Sequence, residues 1–473
     1  MVNRKTKIIC TLGPASNTPE MLGKMIDAGM DVARLNFSHA THEEHLARIE
    51  MLRKVVKEKD ANVGILLDTK GPEIRCGLME NDCVHFNEGD IVRVVRDEVL
   101  GNHERFQIIV PELFDDVKPD QYLLIDDGKM RLTILEVNDG ELVCKVENPG
   151  PIKSRKGVNV PNVKLSMPFL SAKDEADIRF ACKNDLDYIA ASFTRRAEDV
   201  RAIRRILEEE GKKSIQIIAK IENQEGYDNL NEILDVADGI MVARGDLGVE
   251  VSIALVPIYQ KNIIRTCNER GKFVITATHM LESMQQNPRP TRAEASDVAN
   301  AVIDGSDAIM LSGESAAGNY PVEAILTMNL IATTIEDEVY PYEEKFNKAV
   351  KSAENTKMDS VALSVAETAL NLDVAGIVAF TDSGTTAKRV AKFRPKAPII
   401  AVTPLEDTKR KLSAVWGLNP TVDTTVMTLD TMDEKAINAA KAFGIDVGET
   451  IIVVVGYPSA SGKTNTLRII EVE

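Results

Sequence analysis

Short, nearly uniform apolar segments alternate with amphipathic helical segments through most of the first 345 residues. Residues 63–68 are typical: almost every side chain is apolar, as expected of a strand buried on both faces of a parallel sheet. Eight strand–helix units over about 250 residues predict a TIM (β/α)8 barrel, with a doubly wound open sheet as the alternative. The eight predicted strands are residues 7–10, 32–37, 63–68, 188–193, 215–221, 239–243, 273–277 and 308–311.

The strand–helix rhythm is interrupted between residues 71 and 168. Short alternating segments with turn signals occupy this stretch, and Asn138-Asp139-Gly140 is a strong hairpin turn between two of them. We therefore expect a small β-rich domain inserted into the barrel. A further α/β unit is predicted to begin near Phe346. The expected division is residues 1–70 and 169–345 for the barrel, 71–168 for the insert and 346–473 for the last unit.

The net charge and the cysteine spacing disfavour several classes of protein, among them nucleic-acid-binding, membrane and secreted proteins. The chain has 57 basic and 73 acidic residues, a net charge of −16, which disfavours nonspecific binding to nucleic acid or anionic membranes. Its apolar runs are shorter than the roughly 18 residues that span a bilayer, and the N-terminus lacks a secretory pattern. The six cysteines are far apart without a C-x-x-C pair, so we expect reduced thiols and a cytoplasmic protein.

Polar side chains follow the predicted barrel strands, where active sites of such barrels lie. The strand period of two puts Arg34, Asn36 and Ser38 on one face of the second strand. The fifth strand ends in Lys220 and Glu222, again a pair on one face. The other strand ends carry Asp68, Thr69 and Lys70 with Glu73 and Arg75 beyond them, then Arg244, Gly245 and Asp246, then Thr278 and His279, and finally Ser312, Gly313, Glu314 and Ser315.

These strand-end groups fit phosphoryl transfer between small anions. Glu222 and Asp246 can supply hard oxygen ligands for Mg²⁺. Arg34, Arg75 and Lys220 can neutralise phosphoryl oxygens. Taken alone, a lysine–glutamate pair at a strand end is more often a structural salt bridge, and Arg-Gly-Asp is usually a turn. The prediction depends on their occurring together at corresponding ends of parallel strands.

Two other motifs are weak. The segment 456–464 has the pattern G-x-x-x-x-x-G-K-T, with one residue too many between the glycines for a Walker A loop. His42 and His45 lack the H-E-x-x-H spacing of a zinc site, and we expect them on a solvated helix face.

Six segments closely resemble pyruvate kinases, and the resemblance covers essentially the whole chain. It implies transfer of the phosphoryl group of phosphoenolpyruvate to ADP in glycolysis, with Mg²⁺ (or Mn²⁺) and K⁺ as cofactors, by a homotetramer. The segments are KIICTLGPAS at 7–16, RLNFSH at 34–39, LDTKGPEIR at 67–75, AKIENQEG at 219–226, MVARGDLG at 241–248 and PTRAEASDVANAV at 290–302.

The resemblance also assigns roles to single residues. Lys220 is similar to the lysine that stabilises the phosphoryl group in flight, Arg34 to a phosphate-contacting arginine, and Thr278 to the threonine near the substrate and its protonation. Backbone groups at Gly245 and Asp246 resemble the site for the substrate carboxylate. The implied ligands are Glu222 and Asp246 for Mg²⁺, Asn36, Ser38, Asp68 and Thr69 for K⁺, and Pro14, Asn36, His39, Arg75 and Lys156 for the nucleotide.

The resemblance further implies a mobile lid for residues 71–168 and an effector-binding and oligomerisation role for 346–473. Glu73 stands where family members with glutamate need K⁺, whereas His279 and Ser315 depart from the usual glutamine and threonine. A plain polar turn is the alternative for the implied binding loop of a phosphorylated effector, which comprises Thr381, Asp382, Ser383, Gly384, Thr385 and Thr386.

Two other functions are compatible with parts of the pattern. A metal-dependent TIM-barrel lyase or aldolase acting on a pyruvate enolate would use the same barrel, metal and lysine. A sugar-phosphate sensor would use only the last unit. ATP formation from ADP distinguishes the first alternative, and the effect of changing Lys220 distinguishes the second.

Overall fold

The computed structural model describes residues 4–425, 428, 430–456 and 464–473. Thr18 caps the first helix by accepting a hydrogen bond from the Met21 N–H, and Gly29 ends that helix in the left-handed conformation. Thr41 and Glu44 form a capping box at the second helix. These first elements are β1 (Lys7–Thr11), α1 (Pro19–Ala28), β2 (Val32–Asn36), α2 (His42–Glu58) and β3 (Gly64–Asp68).

A β-rich insert separates β3 from the next barrel strand. Its elements are β4 (Ile74–Arg75), β5 (Cys83–Phe86), β6 (Ile91–Val95), β7 (Arg105–Gln107), α3 (Leu113–Asp116), β8 (Tyr122–Ile125), β9 (Met130–Asn138), β10 (Glu141–Val146), β11 (Gly150–Lys153) and β12 (Gly157–Asn159). Seven strands form one sheet in the order β4-β12-β8-β9-β10-β6-β7. A bridge between Cys76 and Ile108, just beyond β4 and β7, joins the two edges of this sheet. The insert therefore curls around its own hydrophobic core.

The strand–helix alternation then resumes. The elements are α4 (Ala172–Lys183), β13 (Tyr188–Ala191), α5 (Ala197–Glu209), β14 (Gln216–Ile221), α6 (Gln224–Asp228), α7 (Leu230–Val236), β15 (Gly239–Ala243), α8 (Arg244–Glu250), α9 (Val256–Arg270), β16 (Phe273–Ala277), α10 (Arg292–Asp304), β17 (Ala308–Leu311), α11 (Gly313–Ala316) and α12 (Pro321–Glu338). Eight parallel strands close in the order β1-β17-β16-β15-β14-β13-β3-β2. The predicted TIM barrel is thus confirmed, and the open-sheet alternative is wrong. All eight carboxyl ends lie on one face.

The last unit is a five-stranded sheet with helices. Its elements are α13 (Tyr342–Lys351), α14 (Lys357–Leu372), β18 (Gly376–Phe380), α15 (Thr385–Lys392), β19 (Ile399–Thr403), α16 (Glu406–Lys411), β20 (Leu418–Val422), α17 (Met432–Phe443), β21 (Thr450–Val455) and β22 (Thr466–Glu471). The strand order is β20-β19-β18-β21-β22, with β22 antiparallel to β21. The expected boundary between residues 345 and 346 falls inside α13.

The last unit packs against the amino ends of the barrel strands. Lys7 Nζ, at the start of β1, donates to the Leu418 carbonyl at 2.7 Å. Asp187, just before β13, pairs with Arg410 at 2.9 Å. These contacts leave the carboxyl ends of the strands free for the insert and a binding site. Within the parts of the chain that the structure describes, every helix is too short or too polar to span a bilayer.

Candidate active site

Lys220 lies at the centre of a buried network at the carboxyl end of β14. Its Nζ lies 3.1 Å from Asp68 Oδ1 and 2.9 Å from Glu222 Oε1. It also donates to Ser192 Oγ at 2.7 Å. The Lys220 side chain is 10% exposed and the two carboxylate side chains are 1% exposed. One ammonium group is therefore shared by two buried acids that come from different strands.

Arg34 joins the same network through Asp68. Arg34 Nε donates to Asp68 Oδ2 at 2.6 Å, and Nη1 donates to Thr11 Oγ1 at 2.9 Å. The charges alternate from Arg34 to Asp68, Lys220 and Glu222. The structure thus brings together groups that lie up to 188 positions apart in the sequence, Arg34 and Glu222 being the most distant.

The pKa values follow from burial and from these neighbours. Burial acts to raise the pKa of Asp68, but Arg34 and Lys220 outweigh it and hold the pKa below its ordinary value. Burial acts to lower the pKa of Lys220, but the surrounding acids outweigh it and raise the pKa. For Glu222 burial prevails over the attraction of Lys220, so its pKa is raised. Glu222 therefore lacks full compensation for its negative charge.

The donor set around Glu222 fits a divalent cation. Glu222 Oε2 accepts a hydrogen bond from the Phe193 N–H. The buried Oε1 lies near Lys220 Nζ but accepts no hydrogen bond of good geometry from the described residues. Asp246, in the first turn of α8 beyond the neighbouring strand β15, acts electrostatically on both Lys220 and Glu222. Mg²⁺ is commonly held by one or two carboxylates and completes its shell with water and phosphate oxygens.

Thr278 and Gly245 lie against each other beyond β16 and β15. The Gly245 N–H donates to Thr278 Oγ1 at 2.7 Å, and this hydroxyl donates to the Ala277 carbonyl at 2.7 Å. Thr278 and the next residue, His279, have φ of 67° and 52°, which is uncommon outside glycine. Arg244 fixes the turn because its guanidinium donates to the carbonyls of Ala277 and Thr278. A substrate carboxylate at Gly245 would have to displace the bond to Thr278.

The four residues implied as K⁺ ligands are brought together at the ends of β2 and β3. Asn36 and Asp68 are partners in the β2–β3 register. Asn36 Oδ1 accepts from the Ser38 N–H at 3.0 Å, and the Thr69 carbonyl accepts from Ser192 Oγ at 2.7 Å. Asn36 Oδ1 and the Thr69 carbonyl oxygen therefore each accept a hydrogen bond from the protein itself.

A cleft of about 270 Å³ separates the insert from the carboxyl face of the barrel. Glu73 and Asp246 both line it. Asn159 of the insert reaches across and donates to Glu250 Oε1 of the barrel at 2.7 Å. The insert therefore covers the face on which the charged network lies.

Comparison with known proteins identifies the architecture. The family description "Pyruvate kinase, barrel domain" matches residues 3–325, and "Pyruvate kinase, alpha/beta domain" matches residues 359–470. The chain belongs to the pyruvate kinase family. It is accordingly a phosphotransferase, and the lyase and sensor alternatives are not favoured.

Similar pyruvate kinases cover nearly the whole chain. The pyruvate kinase of Staphylococcus epidermidis is 51% identical over 470 residues, which are 98% of this chain and 80% of that protein. The pyruvate kinase of Staphylococcus aureus is 50% identical over 470 residues, which again are 98% of this chain and 80% of that protein. The crystal structure of a pyruvate kinase from Cryptosporidium parvum has a TM-score of 0.96 and 38% identity, covering 100% of this chain and 97% of that one.

The residues that resemble the nucleotide side of pyruvate kinases lie on two parts of the fold. Pro14 and His39 are exposed beyond the carboxyl ends of the adjacent strands β1 and β2. Arg75 lies on β4 and pairs with Glu73 at 2.6 Å. Lys156, in the insert, pairs with Asp126 at 2.8 Å. Both barrel and insert thus contribute to this predicted side of the pyruvate kinase site.

Ser192 is a network residue that the sequence analysis missed. Its hydroxyl accepts from Lys220 and lies 3.1 Å from Asp68 Oδ1, and its N–H donates to Thr69 Oγ1 at 3.1 Å. The predicted fourth strand, residues 188–193, includes Ser192, whereas the strand ends at Ala191 and leaves Ser192 at the carboxyl face of the barrel.

The expectation that His42 and His45 lie on a solvated helix face is wrong for His45. His45 is 1% exposed, and its ring stacks on Phe37 at 4.0 Å. Its Nε2 lies 2.9 Å from the His39 carbonyl oxygen. His42 is half-exposed, with Nε2 2.7 Å from Asp177 Oδ1. The loop after β2 folds over this face of α2, which helix periodicity alone does not indicate.

The predicted effector loop follows β18 and leads into α15, with Gly384 at the N-cap (φ 84°). Thr386 Oγ1 lies 2.7 Å from Thr464 Oγ1, and the Asp382 carbonyl accepts from Thr408 Oγ1 at 2.9 Å. Arg389, just beyond the loop, is engaged by Asp359. Most of the near-Walker segment, residues 457–463, lies outside the described residues.

Proposed function

We propose that the network around Lys220 carries the transfer of the phosphoryl group of phosphoenolpyruvate to ADP. Both substrates are anions that repel each other, so the site must bring positive charge to the path of transfer. The observation that carries the proposal is one buried ammonium group, that of Lys220, held 2.9 to 3.1 Å from two acids at the mouth of the barrel. Because the acids hold it in place, little reorganisation is needed when the phosphoryl group arrives.

Glu222 and Asp246 are the proposed ligands of Mg²⁺ (or Mn²⁺). When bound, this ion neutralises phosphoryl oxygens as a Lewis acid. The burial of the Glu222 carboxylate and its raised pKa support the proposal, since a carboxylate that has lost its hydration is stabilised by a bound cation.

The other residues bind, orient and transfer protons. Lys220 and Arg34 contact the phosphoryl oxygens while the bond from phosphorus to the enol oxygen breaks and a bond to a β-phosphate oxygen of ADP forms. The enolate left behind takes a proton at its methylene carbon, which completes pyruvate. We propose that the Thr278 hydroxyl relays this proton from water, and it must turn away from the Ala277 carbonyl to do so. Closure of the insert excludes bulk water.

Asn36, Ser38, Asp68 and Thr69 are the proposed ligands of K⁺, and the absence of a cation at position 73, where Glu73 stands, is proposed to make K⁺ necessary. Glu73 is held by Arg75 and Lys70, at 2.6 and 3.4 Å, so this position supplies no cation of its own to the cleft. The register partnership of Asn36 with Asp68 supports a common site for these oxygens.

Glu73→Lys is expected to abolish activation by K⁺, because the new ammonium group supplies the charge in its place. Initial rates of ATP formation with and without K⁺, at constant ionic strength, measure the effect. Glu73→Gln is the matched control: it removes the carboxylate without adding a cation and should still need K⁺. A Glu73→Lys enzyme that keeps its K⁺ requirement would show that the proposed cation site is wrong.

We further propose that the three units of the chain have different roles. Residues 1–70 and 169–345 form the catalytic domain, 71–168 the lid, and 346–473 the domain for effector binding and tetramer contacts. The cleft beneath the insert supports the lid. Short hydroxyls and the N-terminus of α15 in the loop 381–386 support binding of a phosphorylated effector. The six free thiols, all at described positions, support a reducing cytoplasmic location.

A further inference from the structure

A cavity lined mainly by basic residues lies where the outer barrel helices meet the last unit. It has a volume of about 300 Å³ and is formed by residues of α9, the end of α10, α13 and the end of α15. Three lining residues are acidic and six are basic, in a chain with net charge −16. The six are Lys261, Arg265, Lys345, Lys348, Lys392 and Arg394.

Arg394 is a mostly buried cation that lines this cavity. It is 4% exposed, and its guanidinium lies over the Trp416 ring, 4.8 Å from the centroid. Nη2 donates to the Gly305 carbonyl and to Asp307 Oδ2, each at 3.2 Å. Nε and Nη1 are buried without a hydrogen-bond partner among the described residues. Since these two nitrogens are enclosed by protein, Arg394 acts on the cavity through its positive charge rather than through free donors.

Lys345 adds positive charge that the neighbouring acids do not balance. Its Nζ donates to the Asp304 carbonyl at 2.5 Å but makes no ion pair with any carboxylate in the described part of the chain. Burial, with Arg394 and Lys348 adding to it, lowers the pKa of Lys345 to about 8. Two of the three lining acids are already engaged: Asp304 pairs with Lys261 at 2.5 Å, and Glu344 pairs with Lys348. The third, Glu269, is exposed.

We propose that this cavity binds a small phosphate-bearing anion. A phosphate group offers three acceptor oxygens and nearly two negative charges at neutral pH. That matches the ammonium group of Lys345 and the guanidinium group of Arg265, which line the cavity and form no ion pair in the described part of the chain. A volume of 300 Å³ is at the lower end of small-molecule sites.

The cavity differs from the predicted effector loop in chemistry and in position. The loop offers hydroxyls and backbone N–H groups, whereas the cavity offers guanidinium and ammonium groups. Lys392 ends α15, whose first residues belong to the loop. An anion in the cavity contacts barrel residues and residues of the last unit together, and so ties the two parts to each other.

Calorimetric titration of the full-length protein with inorganic phosphate, at constant ionic strength, tests the proposal. Lys345→Gln is expected to weaken phosphate binding at least about tenfold, as expected for one lost charge-assisted bond. Arg265→Gln, at an exposed position, is a second variant in case Lys345→Gln does not fold, with the same expected loss. Lys351→Gln is the matched control, since Lys351 lies on α13 and is exposed but does not line the cavity.

The proposal holds if both cavity variants lose affinity while Lys351→Gln keeps that of the unaltered protein. It is overturned if the cavity variants bind phosphate as well as the unaltered protein, or if saturable binding is absent. An equal loss in Lys351→Gln also overturns it, because the effect would then be one of overall charge. Thr385→Ala, in the effector loop, should leave this phosphate binding intact, which separates the present proposal from the one for the loop.

Discussion

Replacing Lys220 by methionine is expected to lower kcat by about 10³- to 10⁵-fold, the range for removing a cation that stabilises a transferring phosphoryl group. Methionine fills similar space but leaves the phosphoryl oxygens without the ammonium group. Binding of Mn²⁺ should persist, because the carboxylates of Glu222 and Asp246 remain. Steady-state ATP formation from phosphoenolpyruvate and ADP measures the first effect, and Mn²⁺ titration measures the second.

Lys7→Met is the matched control for this change. Lys7 is also a buried lysine on a barrel strand, but it lies at the amino end of β1 and bonds to Leu418. Both variants remove a buried charge, and Lys220→Met is expected to lose about 3–5 kcal/mol of unfolding free energy because Glu222 loses its cation. Only Lys220→Met should lose kcat in folded protein. Near-normal turnover in Lys220→Met would defeat the assignment.

Glu222→Gln is expected to weaken Mn²⁺ binding by at least about 100-fold, because groups that merely support a metal ligand already cost 10- to 100-fold. Glutamine keeps the shape and can still accept the Phe193 N–H, while Lys220 keeps Asp68 as its partner. The fold should therefore survive. Paramagnetic titration with Mn²⁺ gives the affinity directly.

Glu314→Gln is the control for losing a buried carboxylate. Glu314 is also fully buried beyond a barrel strand, but it accepts from the Leu281 and Ser312 N–H groups and lies outside the proposed metal site. Its loss should lower stability and leave Mn²⁺ affinity unchanged. Equal Mn²⁺ affinity in Glu222→Gln and the unaltered protein would exclude Glu222 as a ligand.

The barrel could be predicted because its strands are nearly uniform apolar runs with clear helix signals between them. Capping at Thr18 and Thr41 works through bonds over three residues, so the local sequence contains all the information needed. Strand pairing in a parallel barrel then follows chain order, and the register of β2 with β3 places Asn36 beside Asp68.

The insert was predicted less completely. The short strands β4, β7 and β12 have only two or three residues each, too few to show an alternating pattern. They form because neighbouring strands of the sheet supply their hydrogen-bond partners, and that partnership is set by the fold of the whole insert.

The sequence predicted which charged residues would converge, but it did not predict which of them would pair with each other. Strand ends indicated that Arg34, Lys220 and Glu222 would converge, because parallel strands share one carboxyl face. That Asp68 bridges Arg34 and Lys220 depends on side-chain lengths and rotamers across three strands. The contacts of Arg394 could not be predicted for the same reason, since they come from Asp307 of the barrel and Trp416 of the last unit.

An anomalous difference map from crystals grown with Mn²⁺ and phosphoenolpyruvate tests most directly whether Lys220 and the two acids surround one phosphoryl group. The expected result is a Mn²⁺ peak within about 2.5 Å of carboxylate oxygens of both Glu222 and Asp246, with the substrate phosphoryl group within hydrogen-bond reach of Lys220 Nζ. A Mn²⁺ peak away from these carboxylates, or a phosphoryl group beyond the reach of Lys220, would contradict the account.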